Sequence, residues 1–205
     1  MLIIVDYGMG NLRSVANALE AVGAAARVSH SPEDVVAADR VVLPGVGAFG
    51  EAMSRLRRTG LADALAEAVL VRKRPFLGIC LGMQVLATRG LEHGCHEGLG
   101  WIEGEVQPIQ PSDPALRVPH VGWNTVAVRR ASPLFLDLPP DPTFYFVHGY
   151  HFAASDPSTI AGTCSYGGDM AAVIERAHIF GTQFHPEKSH HAGLLLLKNF
   201  VQLPC

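Results

Sequence analysis

The first ninety residues alternate short apolar runs with segments of helical period, and few folds accommodate that rhythm. Leu2 to Asp6 reads as a buried strand and Leu12 to Val22 as an amphipathic helix. Val28 closes a second strand and Arg40 to Leu43 forms a third. Phe49 to Arg58 and Leu61 to Val71 read as helices, and Phe76 to Ile79 as a strand running directly into a helix at Leu81 to Thr88. Strands separated by helices predict βαβ units around a parallel sheet covered on both faces. After Thr88 the helical period fades. β-rich runs follow at Gly104 to Pro108, Thr125 to Arg129, Phe144 to His148, Ile160 to Ser165, Ala171 to Glu175 and His178 to Gln183. Turn residues such as Pro139-Pro140-Asp141 and Gly167-Gly168-Asp169 separate them. These runs are expected to add hairpins to the sheet, and Leu194 to Val201 to close the chain as a helix. The expected architecture is one three-layer α/β domain over residues 1–205 with a mixed central sheet.

Composition narrows the partners. Of the 205 residues 48% are apolar and 17% charged, which excludes disorder, and a net charge of -3 without a basic stripe favours neither nucleic acid nor an anionic membrane. No run approaches the ~18 apolar residues of a membrane span. Met1 to Val5 is too short for a secretory signal core, since Asp6 follows at once. Cys80, Cys95, Cys164 and Cys205 show no Cys-x-x-Cys and no tight pairing. Four free thiols and a reducing cytoplasm are the expectation.

Gly78-Ile79-Cys80-Leu81-Gly82 carries the chemistry. It has the form Gly-x-nucleophile-x-Gly between a predicted strand and a predicted helix, the setting of a nucleophile elbow. Such a thiol projects from the carboxyl end of a sheet strand, where α/β sites lie. The Leu81 N–H, at the helix start, can face a developing oxyanion, and the helix dipole favours negative charge there. His185-Pro186-Glu187 supplies a base and a carboxylate to orient it. Proline holds the preceding residue extended, so His185 and Glu187 are expected to share a face. Pro44-Gly45-Val46-Gly47 follows a strand and can offer a backbone N–H to an oxyanion, or be a plain turn into the next helix.

Other segments exclude chemistries. Asp6-Tyr7-Gly8-Met9-Gly10-Asn11 lacks the third glycine of a dinucleotide loop and the Gly-Lys-Ser/Thr of a phosphate loop. His190-His191 and His93 with Cys95-His96 match no zinc spacing, so neither a metal nor any other cofactor is expected. Arg55, Arg57 and Arg58 read as a solvated helix face, and Trp101 and Trp123 as core or interface aromatics.

GICLGMQ around Cys80 and FHPEK around His185 resemble class I glutamine amidotransferases. DYGMGNL, LPGVGAFG, GLGWIEGEV, PHVGWN and YFVHGYHF are similar to segments of the glutaminase subunits of imidazole glycerol phosphate synthases, and the likeness runs from Leu2 to Phe200. The resemblance implies a flavodoxin-like three-layer fold. It implies that Cys80 attacks the glutamine side-chain amide, that His185 moves protons and that Glu187 orients His185. Leu81, Gly45 and Val46 would form the oxyanion hole. Gln84, Gly47 and the backbone at Gly149, Tyr150 and His151 would hold glutamine. By the same resemblance, ammonia passes to a separate barrel-shaped cyclase subunit in a heterodimer, which makes imidazole glycerol phosphate for histidine biosynthesis. Asn11, Trp123, Tyr145 and Lys188 are expected to face that partner. Gly149 stands where relatives carry Ser or Thr, and His190-His191 where a small or polar residue is common. Three other readings stay open on sequence: a non-catalytic subunit that kept the fold, an amidotransferase serving another acceptor, and a free-standing cysteine hydrolase.

Overall fold

Leu2-Ile3-Ile4-Val5 is apolar on both faces and is stable only with cover on both sides. The computed structural model, which describes residues 1–204, supplies that cover. In chain order the first strands and helices are β1 (Leu2–Val5), α1 (Leu12–Ala21), β2 (Ala26–Ser29), α2 (Pro32–Val36), β3 (Arg40–Gly45), α3 (Phe49–Arg58), α4 (Leu61–Ala66), β4 (Phe76–Cys80) and α5 (Leu81–Gln84). The strands that follow are β5 (Arg89–Gly90), β6 (His96–Glu97), β7 (Gly104–Pro108), β8 (His120–Thr125), β9 (Ala127–Val128), β10 (Thr143–His148), β11 (Tyr150–Ala154), β12 (Ile160–Ser165), β13 (Asp169–Arg176) and β14 (Ile179–Thr182), with α6 (His190–Val201) last.

The central sheet runs β2-β1-β3-β4-β14-β13-β12-β9. Its first five strands are parallel and the rest antiparallel, giving the mixed, largely parallel sheet. Val15, Leu19, Leu196 and Phe200 of α1 and α6 pack on one face with Ile4, Val42 and Leu77. Phe49, Met53, Leu56, Leu61 and Leu65 of α3 and α4 pack on the other with Ile3, Val41 and Leu43. Burying two apolar faces at ~25 cal/mol per Å² is the main driving force for this arrangement.

The second half departs from expectation. Only β9 and β12 to β14 join the central sheet. β8 and β10 form a separate two-stranded antiparallel sheet, and β11-β7-β5-β6 a four-stranded one. The expected strand at Thr125 to Arg129 is split, because Val126 turns inward as a fully buried residue between β8 and β9. The helix expected over Leu81 to Thr88 stops after one turn. The Val85, Leu86 and Ala87 carbonyls accept hydrogen bonds from the N–H groups of Leu99, Gly100, Trp101 and Ile102 and so leave the helical ladder. Leu61 to Val71 continues past α4 in a wider π turn, closed by Arg72 N–H to the Glu67 carbonyl. Among the described residues no helix is long and apolar enough to cross a membrane.

Candidate active site

Cys80 ends β4 and precedes α5 with φ 55° and ψ -109°, a region that L residues rarely adopt. Two glycines make this turn possible. A Cβ at Gly78 would drive into the Gly82 carbonyl, and one at Gly82 into the Leu43 carbonyl oxygen, so β3, β4 and α5 close on each other only without side chains there. Gly45 pairs in register with Cys80 on the adjacent strand. The Pro44–Gly47 loop therefore leaves β3 beside the thiol, while Leu81 opens α5, where an N–H has no helical partner.

A cleft of about 270 Å³ lies over the thiol, lined by residues from both halves of the chain: Val46 and Gly47, Cys80 and Leu81, Gln84 and Glu92, and His148 to Tyr150 with His185. β10 is tied down here by its own backbone. His185 N–H donates to the Tyr145 carbonyl at 2.9 Å, and Tyr145 N–H donates to Ser189 Oγ at 3.0 Å. The Val147 carbonyl faces Cys80 Sγ at 3.9 Å.

His185 and Glu187 meet, by a different local geometry from the extended one expected. Pro186–Lys188 is a single 3-10 turn. It brings Glu187 Oε1 to 2.8 Å from His185 Nδ1, both side chains being buried. The carboxylate accepts from Nδ1–H, which leaves Nε2 as the free nitrogen; among the described residues it has no hydrogen-bond partner, and His185 lines the cleft. Burial disfavours the imidazolium, but the anionic Cys80 sulfur facing the ring and the Glu187 carboxylate outweigh burial and raise the His185 pKa to about 9. A buried cysteine, a base and an orienting carboxylate in this order can carry out nucleophilic acyl transfer.

Not every expected residue reaches the cleft. Val46, Gly47, Leu81, Gln84, Gly149 and Tyr150 line it. His151 is not part of its wall; its imidazole lies 3.3 Å from the Gln107 amide across the β11–β7 pair. Gly45 lies behind the wall, against the buried Tyr7 hydroxyl. A Cβ at Gly149 would make ordinary van der Waals contact with Val118 at 3.8 Å and Pro119 at 3.9 Å, so a Ser or Thr fits there without strain. Trp123, Tyr145 and Lys188 come together on the surface. Trp123 is 48% exposed, packs edge-on to Tyr145, and the Lys188 ammonium sits 5.9 Å over the Tyr145 ring. His190 joins them by stacking flat on Trp123, with ring centroids 5.0 Å apart. Asn11 caps α1 through Ser14 N–H, and Ser14 flanks a hollow shared with Glu187, Lys188 and His190. Arg55 and Arg57 are half solvated, bonding Glu51 and Glu97. Cys80, Cys95 and Cys164 are free thiols; Cys205 lies outside the described residues.

Two residues were not legible beforehand. Glu92 is the only carboxylate lining the cleft among the described residues, and it accepts from Phe49 N–H at 2.8 Å. It sits in a turn with no motif around it, so no spacing signal pointed to it. His148 lines the cleft as part of a buried chain: its Nδ1–H donates to the Tyr150 carbonyl at 2.8 Å, and its Nε2 accepts from His120 Nδ1–H at 3.0 Å. Burial, then the neighbouring histidines, lower the His148 pKa to about 4, against the Tyr150 carbonyl bond.

A strand-end cysteine elbow with a His and Glu just past the neighbouring strand of a three-layer α/β sheet defines the class I glutamine amidotransferases, and the family model described as glutamine amidotransferase class-I matches residues 3–203. Two solved structures share the fold. One titled glutamine amidotransferase has a TM-score of 0.74 at 18% identity, covering 97% of this chain and 98% of its own. PurLQS from Thermotoga maritima gives 0.75 at 18% identity, covering 98% and 96%. Sequence relatives narrow the class. The chain is 51% identical over 207 residues to imidazole glycerol phosphate synthase subunit HisH of Rhodospirillum rubrum, covering 97% of each. It is 49% identical to the HisH subunit of Zymomonas mobilis, covering 97% of this chain and 93% of the relative. The chain belongs to the HisH family of class I glutamine amidotransferases.

Proposed function

We propose that this chain hydrolyses glutamine at Cys80 and works as the glutamine amidotransferase subunit of imidazole glycerol phosphate synthase, in histidine biosynthesis. The whole of 1–205 is read as one amidotransferase domain. The carrying observation is the free Nε2 of a carboxylate-oriented His185 in the same cleft as Cys80.

The steps follow from the positions. Cys80, with its proton already on His185 Nε2 as a thiolate–imidazolium pair, attacks the side-chain carbonyl carbon of glutamine through Sγ. The carbonyl oxygen becomes negative within reach of Leu81 N–H, and the Pro44–Gly47 loop can add Val46 N–H as a second donor when it turns in; such donors are worth about 10² to 10³ in rate. The C–N bond breaks as His185 returns its proton to the leaving nitrogen, releasing ammonia. Water, deprotonated by His185, then attacks the thioester carbon, the C–S bond breaks and glutamate leaves. Gln84 spends both Nε2 hydrogens inside the protein, on the Tyr150 carbonyl at 3.0 Å and Gln183 Oε1 at 3.1 Å, leaving Oε1 free to accept from the ligand. Glu92 is placed to oppose the ammonium group of an amino acid in the cleft. Ammonia passes to a barrel-shaped cyclase partner, docked over Asn11, Trp123, Tyr145 and Lys188.

Cys80→Ala is expected to abolish glutamine hydrolysis while leaving the fold intact, because the substitution removes only a sulfur at a turn. Glutamate release and circular dichroism measure the two. Substantial glutaminase activity in that variant would refute the assignment.

A further inference from the structure

Gln183 follows β14 directly and is 0% exposed. Its backbone N–H donates to the Ala172 carbonyl at 2.9 Å, so the ladder holds its main chain. A buried primary amide has to place both a carbonyl and an NH2 group. Here their positions are dictated from a distance. The Tyr150 main-chain carbonyl can only accept, so the Gln84 atom 3.0 Å from it is the amide nitrogen. The same nitrogen lies 3.1 Å from Gln183, whose facing atom must then be Oε1. That leaves Gln183 Nε2 towards Cys80 Sγ, at 3.8 Å. Turning the Gln183 amide over would set two NH2 groups against each other and an oxygen against the sulfur.

Besides His185, the sulfur faces the Val147 carbonyl at 3.9 Å, an acceptor suited to the thiol proton. Once that proton moves to His185, the carbonyl offers the anion nothing, and the Gln183 N–H still points at it. We propose that Gln183 is a further catalytic residue: its amide donates a hydrogen bond to the Cys80 sulfur, steadying the thiolate before attack and again when the C–S bond breaks and the electron pair returns to sulfur. Gln183 exchanges no proton. The proposal rests on the reading of Cys80 as nucleophile, and the test separates the two.

Gln183→Glu keeps an oxygen for Gln84 but presents an oxygen to the sulfur in place of the donor. Gln183→Met keeps the volume and removes both bonds. The readout is the rate of Cys80 alkylation by iodoacetamide at pH 8, followed by mass spectrometry of the Cys80 peptide. This needs neither glutamine nor partner. Peptide resolution is required because Cys95 is exposed; Cys164 is buried, its thiol pushed up to about 12 by burial and then by Asp169. A donor to a charged group is worth about tenfold or more. Alkylation should fall about tenfold in Gln183→Met and further in Gln183→Glu, and in Gln183→Glu kcat for glutamine should fall with KM within about twofold. Unchanged alkylation in folded Gln183→Met or Gln183→Glu protein, with a raised KM, would overturn the proposal and leave Gln183 as a prop for Gln84. Failure of the nucleophile reading shows separately, as glutaminase activity surviving in Cys80→Ala.

Discussion

His185 answers two opposed demands. Its burial penalises charge, yet the thiolate of Cys80 on one side and the Glu187 carboxylate on the other hold the imidazolium to about pH 9. The ordinary value is 6.5. A group raised on folding contributes stability that is complete below its unfolded pKa and is lost as pH rises through the folded value, so the window here runs from 6.5 to about 9. The same proton is the one that ammonia needs on leaving. Glutamine turnover should therefore stay level through neutral pH and fall above about pH 9, and Glu187→Gln should move that fall towards neutral pH. A pH profile of kcat for both proteins measures this. A fall at the same pH in both would mean that Glu187 does not hold the imidazole.

The triad was legible because each member sits in a local pattern: glycines either side of Cys80, proline between His185 and Glu187. What holds the cleft in place was not, because it is built across three strands. One carbonyl, that of Tyr150 on β11, fixes every tautomer on the far side. It requires Nδ1–H on His148, which makes His148 Nε2 an acceptor for His120 Nδ1–H, and His120 Nε2 an acceptor for Asn124 Nδ2–H at 3.3 Å. The second hydrogen of Asn124 Nδ2 goes to the Ser165 carbonyl. His120 is stacked between Phe146 and Tyr166, and burial lowers its pKa. PHVGWN reads as a family segment, with no sign in its spacing that His120 reaches across to His148 on β10 or that Asn124 reaches the end of β12. The short α5 was hidden because a distant loop captures the hydrogen bonds that local periodicity assigned to a helix, and the β8–β10 sheet because its two strands pair with each other and not with the central sheet. Asn124→Asp tests the chain. A carboxylate accepts where the amide donated, so His120 must carry protons on both nitrogens to serve the new carboxylate and His148 together. Its titration by NMR should move from below the ordinary histidine value to above it. An unmoved titration would show that the chain does not run in this order.

A glutaminase without an acceptor wastes glutamine, and the exposed face beside the cleft has the makings of a control point. Val46 is 44% exposed at the mouth of the cleft, and Val118, Val121 and Trp123 extend an apolar surface from β8 and the segment before it. A partner covering that surface would bear on the Pro44–Gly47 loop directly. Gly47 holds a φ of 103°, which leaves the neighbouring peptides freer to turn than a side chain would allow. If the proposed cyclase, with its nucleotide substrate bound, favours the state in which Val46 N–H faces the oxyanion, glutamine turnover rises by the worth of that donor, about 10² to 10³. This corresponds to a bias of only ~3–4 kcal/mol between two loop states. Steady-state glutaminase rates for the chain alone, with the cyclase, and with cyclase plus nucleotide substrate should rise in that order. Equal rates in all three would exclude control through this loop. Gly47→Ala sharpens the test, because an added Cβ is strained at that φ and meets the Met9 methyl at 2.8 Å. Activation should be blunted in that variant by more than KM for glutamine changes. Full activation with weakened glutamine binding would instead place Gly47 in the substrate wall and not in the control of the reaction.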